Sequence, residues 1–137
     1  MATELKRTEL IFKEDMDCPA LMKHVMKMGK DAYLQELLDS GLKGRGGAGF
    51  PTGLKWKLVK QQESDIKYVI CNADEGEPGT FKDREILDRS TDKVIYGMAL
   101  AGYIVGAKEG YIYLRGEYKF LATKLRLAID RMEAQLR

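Results

Sequence analysis

Apolar positions in this chain follow two periods, one helical and one extended. Leu21, Val25 and Met28 recur at helical spacing just after Pro19, with Asp17 or Cys18 placed to cap the first turn. A second helix is predicted from Asp31 to Ser40, with Tyr33, Leu34, Leu37 and Leu38 inward and Gly41 as its stop. Leu54 to Lys60 has room for one or two helical turns. Lys67-Tyr68-Val69-Ile70-Cys71 is short, β-branched and aromatic, which predicts a buried strand. Residues 72–80 are a loop by composition, and residues 82–89 predict a short helix. The helix predicted from Asp92 to Ala107 is apolar over most of its surface, and Gly97, Ala101, Gly102 and Gly106 allow it close approach to a sheet. Tyr111 to Arg115 is a second strand. A last helix, from about Glu117 to Leu136, places Leu121, Leu125, Ala128, Met132 and Leu136 on one face. Near the start, Thr8 to Phe12 fits a short edge strand.

Strand, helix, strand in that order is a βαβ unit, so the two strands should be parallel with a right-handed crossover. Two strands are too few for a parallel sheet, which needs several strands and cover on both faces. The expected fold class is therefore α/β, with N-terminal helices and a sheet that other residues or a partner must complete. The expected organisation is one domain over residues 1–137, with a helical lead-in over 1–40 and the βαβ portion over 41–137.

Composition narrows the class. With 45% hydrophobic and 32% charged residues among 137, the chain reads as a soluble globular protein, not a disordered one. No apolar run reaches the ~18–20 residues of a transmembrane helix, and no signal-type stretch follows Met1 to Arg7, so no direct membrane insertion is expected. A net charge of +2 makes no case for nucleic acid. The two cysteines, Cys18 and Cys71, form neither a disulfide framework nor a metal-spaced set, and they suit a reducing, cytoplasmic setting. His24 has no partner at metal spacing, and Asp74, Glu75 and Glu77 lack an EF-hand pattern, so no metal site is expected.

Glycine is the unusual component: six of the fourteen lie between positions 41 and 53. That crowding disfavours helix and strand and predicts a loop. Gly44 to Gly49 matches G-x-G-x-x-G, but a helix precedes it and Phe50-Pro51-Thr52-Gly53 follows. A dinucleotide turn requires a strand before and a helix opening after, so the usual phosphate turn is not expected. Two readings remain: amides that cradle an anion or admit a flat ring, and a surface loop without a ligand. Lys43, Arg45, Lys55, Lys57 and Lys60 make residues 41–60 wholly basic, whereas Asp74, Glu75, Glu77, Asp83, Glu85 and Asp88 outweigh Lys82 and Arg84 in residues 71–88. The basic segment suits phosphate. The acidic one lies past a strand's carboxyl end, where open α/β sheets bind ligands and carboxylates can meet hydroxyl or ring N–H groups. The same charges also suit a solvated surface whose ion pairs contribute ~0–1 kcal/mol each. Phe50 and Trp56 either stack on a ring or pack on the core.

Taken together, Gly44-Arg45-Gly46-Gly47-Ala48-Gly49-Phe50-Pro51-Thr52-Gly53-Leu54-Lys55-Trp56 and the run from Cys71-Asn72-Ala73-Asp74-Glu75-Gly76-Glu77 to Arg84 closely resemble the NADH-binding flavoprotein subunit of respiratory complex I. The same subunit type occurs in NAD-linked hydrogenases and formate dehydrogenases. Gly110 to Tyr118 is similar to that family's next strand and helix start, and the resemblance runs from about residue 30 onward. It implies a Rossmann-like FMN-binding domain. Gly44, Arg45 and Gly46 would lie against FMN, Lys55 would contact it, and Asn72, Asp74 and Glu75 would hold the flavin. Phe50 and Glu77 would serve NADH. The implied reaction is hydride transfer from NADH to FMN, with electrons leaving to iron–sulfur clusters; the flavin, not a side chain, does the chemistry.

Departures from the family accompany the resemblance. Its later Cys-Gly-Glu-Glu motif and the four cysteines of its [4Fe–4S] cluster are absent here, Leu58 replaces a common aromatic, and Thr91-Asp92 replaces Pro-His. The chain thus resembles the N-terminal portion of the subunit. Its implied partners are the rest of that subunit and iron–sulfur electron-transfer subunits, and little activity is expected of it alone. Two rival readings stand: a non-catalytic module docking through the unfinished sheet edge, and a phosphate binder using the basic loop alone.

Overall fold

The computed structural model describes residues 11–12 and 15–137. Helix α1 (Cys18–Met28) starts where the Ala20 amide donates to Asp17 Oδ1 at 2.9 Å, with Pro19 in its first turn. It buries Cys18, Met22 and Val25, whereas Leu21 and Met28, expected inward, are exposed. The stripe begins at Cys18, a small apolar residue, and that sets the helix phase. Helix α2 (Lys30–Asp39) buries Leu34 and Leu37, half-buries Tyr33 and Leu38, and turns out at Gly41 with φ +66°. Helix α3 (Thr52–Gln61) takes in Gly53, which composition places in the loop. A Cβ there would stand 2.8 Å from the Leu38 amide nitrogen and 2.9 Å from its Cα. Glycine at 53 is what lets α2 and α3 touch backbone to backbone.

Strands β1 (Tyr68–Ala73) and β2 (Glu109–Leu114) are parallel, in register from Tyr68↔Glu109 to Ala73↔Leu114. The crossover is two helices, α4 (Lys82–Arg89) and α5 (Thr91–Val105), the second ending at left-handed Gly106. Gly102 sits where α5 meets the sheet, and a Cβ there would make ordinary contact with Val69 Cγ2 at 3.8 Å. Gly97 faces open space instead, so only part of the small-residue stripe serves that contact. The single helix expected after β2 is divided: a 3-10 helix, Gly116–Leu121, bends at Tyr118 (φ −97°, ψ 15°) and leads into α6 (Ala122–Leu136).

The core has two clusters, and α5 contributes to both. Tyr96, Leu100 and Ile104 meet Cys18, Met22, Val25 and Leu34 from α1 and α2. Ile95 meets Ala73, Leu87, Tyr118, Leu121, Leu125 and Ala128. A helix packed on both sides has to be apolar nearly all round, as the sequence of α5 is. The strands are covered on one face only. Cys71, Ala73, Ile112 and Leu114 join the second cluster, while Tyr68, Ile70, Tyr111 and Tyr113 are 50%, 66%, 54% and 65% exposed. The first strand is therefore half-buried, not buried as its unbroken apolar run suggests, because nothing in the described chain covers the second face. The parallel α/β arrangement with an unfinished sheet is as expected. Of the edge strand expected at Thr8 to Phe12, residues 8–10 lie outside the described residues, and Ile11 and Phe12 form a bend.

Two glycine substitutions should move stability in opposite directions. Gly53→Ala forces α2 and α3 apart and is expected to cost about 1–3 kcal/mol. Gly97→Ala, in an exposed helix position with free space, should gain about 0.5–1 kcal/mol. Urea unfolding of both variants checks the pair, and equal shifts would count against the packing argument.

Candidate functional site

The glycine loop is a hairpin. Gly44 N–H donates to the Phe50 carbonyl at 2.9 Å, Thr52 N–H donates to the Leu42 carbonyl at 2.9 Å, and Lys43 bridges Pro51. Between these ties residues 44–48 are exposed, with Gly47 and Gly49 at φ +109° and +61°, where a side chain is disfavoured. No neighbour would touch a Cβ at Gly46, Gly47 or Gly49, so the backbone itself is the accessible surface. Arg45 is exposed, and its Nη1 donates to the Lys43 carbonyl at 2.9 Å. The loop runs straight into α3, whose first turn has no side-chain cap. Apart from the Thr52 amide, which holds the Leu42 carbonyl, its first-turn amides lie at the positive end of the helix dipole. Lys55, on that helix, holds its Nζ 6.0 Å from the centroid of the exposed Phe50 ring.

The acidic loop leaves the C-terminal end of β1. Because β2 is parallel and in register, its own exit lies alongside, and Arg115 N–H donates to the Ala73 carbonyl at 3.1 Å. Glu75 turns inward and is 5% exposed. Its Oε2 accepts from the Asp83 amide at 2.7 Å, and its Oε1 accepts from the Tyr118 hydroxyl at 2.8 Å and from the Arg84 amide at 3.4 Å. Lys82 Nζ stands 3.9 Å away. Arg115 Nη1 donates to the Glu75 carbonyl oxygen while the rest of its guanidinium grips Glu117. Burial raises the Glu75 carboxyl, but the Asp83 amide, the Tyr118 hydroxyl, the Arg84 amide and the Lys82 charge together bring it below the usual range. The partner effect is reciprocal: hydrogen bonding to Glu75, then burial, pushes Tyr118 up. Asn72, Asp74 and Glu77 are exposed, with Asn72 Oδ1 accepting from the Asp74 amide at 3.2 Å.

The nine residues singled out from sequence thus fall into two sets, Gly44, Arg45, Gly46, Phe50 and Lys55 in one, and Asn72, Asp74, Glu75 and Glu77 in the other. Among the described residues no hydrogen bond or ion pair joins the sets. One tie orients their scaffolds: Lys67 Nζ donates to the Lys60 carbonyl at 2.9 Å, pinning the end of α3 to the start of β1. Both loops extend from the ends of α3 and β1 remote from that tie. Glu75 differs from the other eight in being buried, with both carboxylate oxygens held by the protein's own donors. Tyr118 and Arg115 are the residues that sequence reasoning leaves without a role. Their signal lies in the Arg115-Gly116-Glu117-Tyr118 run, but its tie to Glu75 spans 43 positions. A cleft of about 620 Å³ between α5, α6 and the strands is lined by none of the nine. Both thiols are unpaired and raised, Cys18 by burial and then Asp92, Cys71 by burial and then Asp83, so neither is an activated nucleophile. Among the described residues no cluster could hold a metal ion, and no helix is long and apolar enough to cross a membrane.

A parallel βαβ unit with an amide-rich loop and a carboxylate-bearing loop has the layout of a nucleotide-cofactor-binding α/β domain. The chain belongs to the Nuo51 FMN-binding domain family, whose model matches residues 37–136. It is 49% identical over 116 residues to the NAD-reducing hydrogenase HoxS subunit alpha of Cupriavidus necator, covering 85% of this chain and 19% of that one. It is 50% identical over 110 residues to the mitochondrial NADH dehydrogenase [ubiquinone] flavoprotein 1 of Dictyostelium discoideum, covering 79% of this chain and 23% of the relative. Among solved structures, an NAD+-reducing [NiFe]-hydrogenase in its H2-reduced state superposes with a TM-score of 0.82 at 43% identity, over 88% of this chain and 21% of that chain. The chain therefore spans about a fifth to a quarter of the length of the relatives it matches.

A depressed carboxylate stabilises the fold above the unfolded-state pKa, about 4.3 for glutamate, and that contribution is lost as pH falls through the lower folded value. Glu75→Gln should therefore be less stable than the parent at pH 7, and the gap should close as pH drops below about 4. Thermal melts across pH 3–8 read this directly; a constant gap would contradict the assignment of an ionised Glu75.

Proposed function

We propose that this chain is the FMN-binding portion of an NADH:acceptor oxidoreductase. The observation that carries the proposal is the family match over residues 37–136, which contains both loops. The local geometry fits the cofactor. An exposed glycine backbone admits a flat ring, and Arg45, Lys55 and the uncapped start of α3 offer positive partners for a phosphate. Exposed Asn72 and Asp74 offer acceptors to ribityl hydroxyls and ring N–H groups. Glu75 contributes by fixing the loop that carries Asp74 and follows Asn72 at the end of β1. Phe50 and Glu77, both exposed, would serve NADH in this reading. FMN, when bound, supplies hydride acceptance and single-electron delivery; the chain's residues bind and orient it and exclude water.

The open face of Tyr68, Ile70, Tyr111 and Tyr113 suits cover by the remaining part of the flavoprotein subunit, within an assembly holding iron–sulfur electron-transfer subunits. The two cysteines here leave a [4Fe–4S] cluster to those other segments. Two unpaired thiols suit a cytoplasmic location, peripheral to any membrane. The chain alone is expected to bind FMN weakly and to oxidise little NADH. The same open face supports the docking module as the alternative reading.

Flavin fluorescence titration of the full-length protein tests the proposal. Arg45→Ala, Lys55→Ala and Asp74→Asn should each weaken FMN binding by about tenfold, or about 1.4 kcal/mol. Unchanged affinity in Asp74→Asn would leave only a phosphate site, and no saturable FMN binding by the parent would leave the docking module.

A further inference from the structure

Resting on the FMN reading above, we propose that Tyr118 is a positioning residue for the flavin, holding the acidic loop in its binding form through Glu75. Its hydroxyl, on the 3-10 helix after β2, donates to Glu75 Oε1 at 2.8 Å. Arg115, at the exit of the same strand, holds the Glu75 carbonyl oxygen. On the other side the Asp83 amide at the start of α4 donates to Oε2 at 2.7 Å. The loop is thus clamped between α4 and the segment after β2, with Asp74 and Glu77 exposed on it and Asn72 exposed at the end of β1 just before it. Tyr118 is itself buried, so it has no solvent-exposed task of its own.

The clamp depends on charge. A buried carboxylate that accepts from two amides and a hydroxyl is held far more firmly ionised than protonated, because a protonated acid loses an acceptor and gains a donor without a partner. The charged groups facing Glu75 from its neighbours are Lys82, Asp83 and Arg84 on α4, and Arg115 and Glu117 beyond β2. Asp74 and Glu77 lie on the loop itself. Of these, Lys82 is the cation within ion-pair distance of the Glu75 carboxylate, at 3.9 Å with its side chain 51% exposed, so it is largely screened. Protein donors carry the clamp, and Tyr118 is the side chain among those that hydrogen-bond the carboxylate itself.

The test is the FMN dissociation constant of the full-length protein against pH, followed by flavin fluorescence from pH 3 to 8. Tyr118→Phe keeps the ring and removes the hydroxyl. It should weaken FMN about five- to tenfold at pH 7 and move the acid-side loss of affinity to higher pH. Combining it with Glu75→Gln should weaken binding no further than Glu75→Gln alone, because the two act as one unit. Leu121→Ala, a nearby core truncation with no bond to Glu75, controls for general loosening; it should lower the melting temperature and leave the pH break in place. If Tyr118→Phe leaves both affinity and pH break unchanged while the parent binds FMN, the positioning role is overturned and the FMN reading survives. If the parent binds no FMN at any pH, both fall.

Discussion

A single buried carboxylate sets the geometry on which the candidate site depends. Removing Glu75 from water costs several kcal/mol unless donors replace the lost hydration. Here they come from two places distant in sequence, the first amides of α4 and the hydroxyl of Tyr118. The parallel register makes this possible, because Ala73 and Leu114 end their strands side by side and bring the two exits together. An antiparallel pair would send the second exit to the opposite edge of the sheet. The βαβ topology, the acidic loop and the start of α4 are thus one linked arrangement.

The second organising element is α5. It lies between a helical layer, where it meets α1 and α2, and the sheet, with α6 packed along it so that Met132 reaches both clusters. Burying large aliphatic side chains contributes roughly 1.5–3 kcal/mol each, and Ile104, which is fully buried, lies in the layer it shares with α1 and α2. Gly53 does what a larger residue would prevent, letting α3 lie on α2, while α5 lies on the sheet beside Val69 at Gly102. Through those contacts the glycine loop, at the head of α3, and the acidic loop, at the end of β1, are both carried by elements packed on α5. Neither loop contributes much to the core itself.

Much of this is legible in the sequence, and what is not has identifiable causes. Residues 82–89 predict a helix and form one over the same span, since their charge pattern leaves one apolar stripe. The strands are legible from β-branched and aromatic runs, but their exposure is not. Val69, Ile70 and Cys71 look alike in sequence, and only the absence of a second cover distinguishes Ile70. The phase of α1 escapes the pattern because Cys18 reads as a cap, whereas it is the first core residue. Gly53 groups with the loop because local propensity cannot see Leu38. The break at Tyr118 is hidden in the same way: it falls at a residue whose hydroxyl bonds Glu75, 43 residues earlier, a tie that local sequence does not show. The exposed members of both loops are legible as a pair from charge and glycine content, because exposed chemistry is written locally. The buried clamp beneath them is not, because it is written in tertiary contacts.

The two loops also differ in how they are held, which bears on how a cofactor would meet them. The acidic loop is fixed by side-chain bonds to groups on both sides, so its acceptors are presented at little further ordering cost. The glycine loop is closed at its base by backbone bonds, and a Cβ at Gly46, Gly47 or Gly49 would meet nothing within 4 Å. Ordering such a tip costs on the order of 1–2 kcal/mol per residue fixed. A ligand that meets both loops therefore gains its orientation from the rigid acidic side and its enclosure from the adaptable glycine side. A ligand that touches only the basic loop bears the ordering cost without the preformed partner. That asymmetry favours a guest with both an anionic end and a donor-bearing polar face over a bare phosphate.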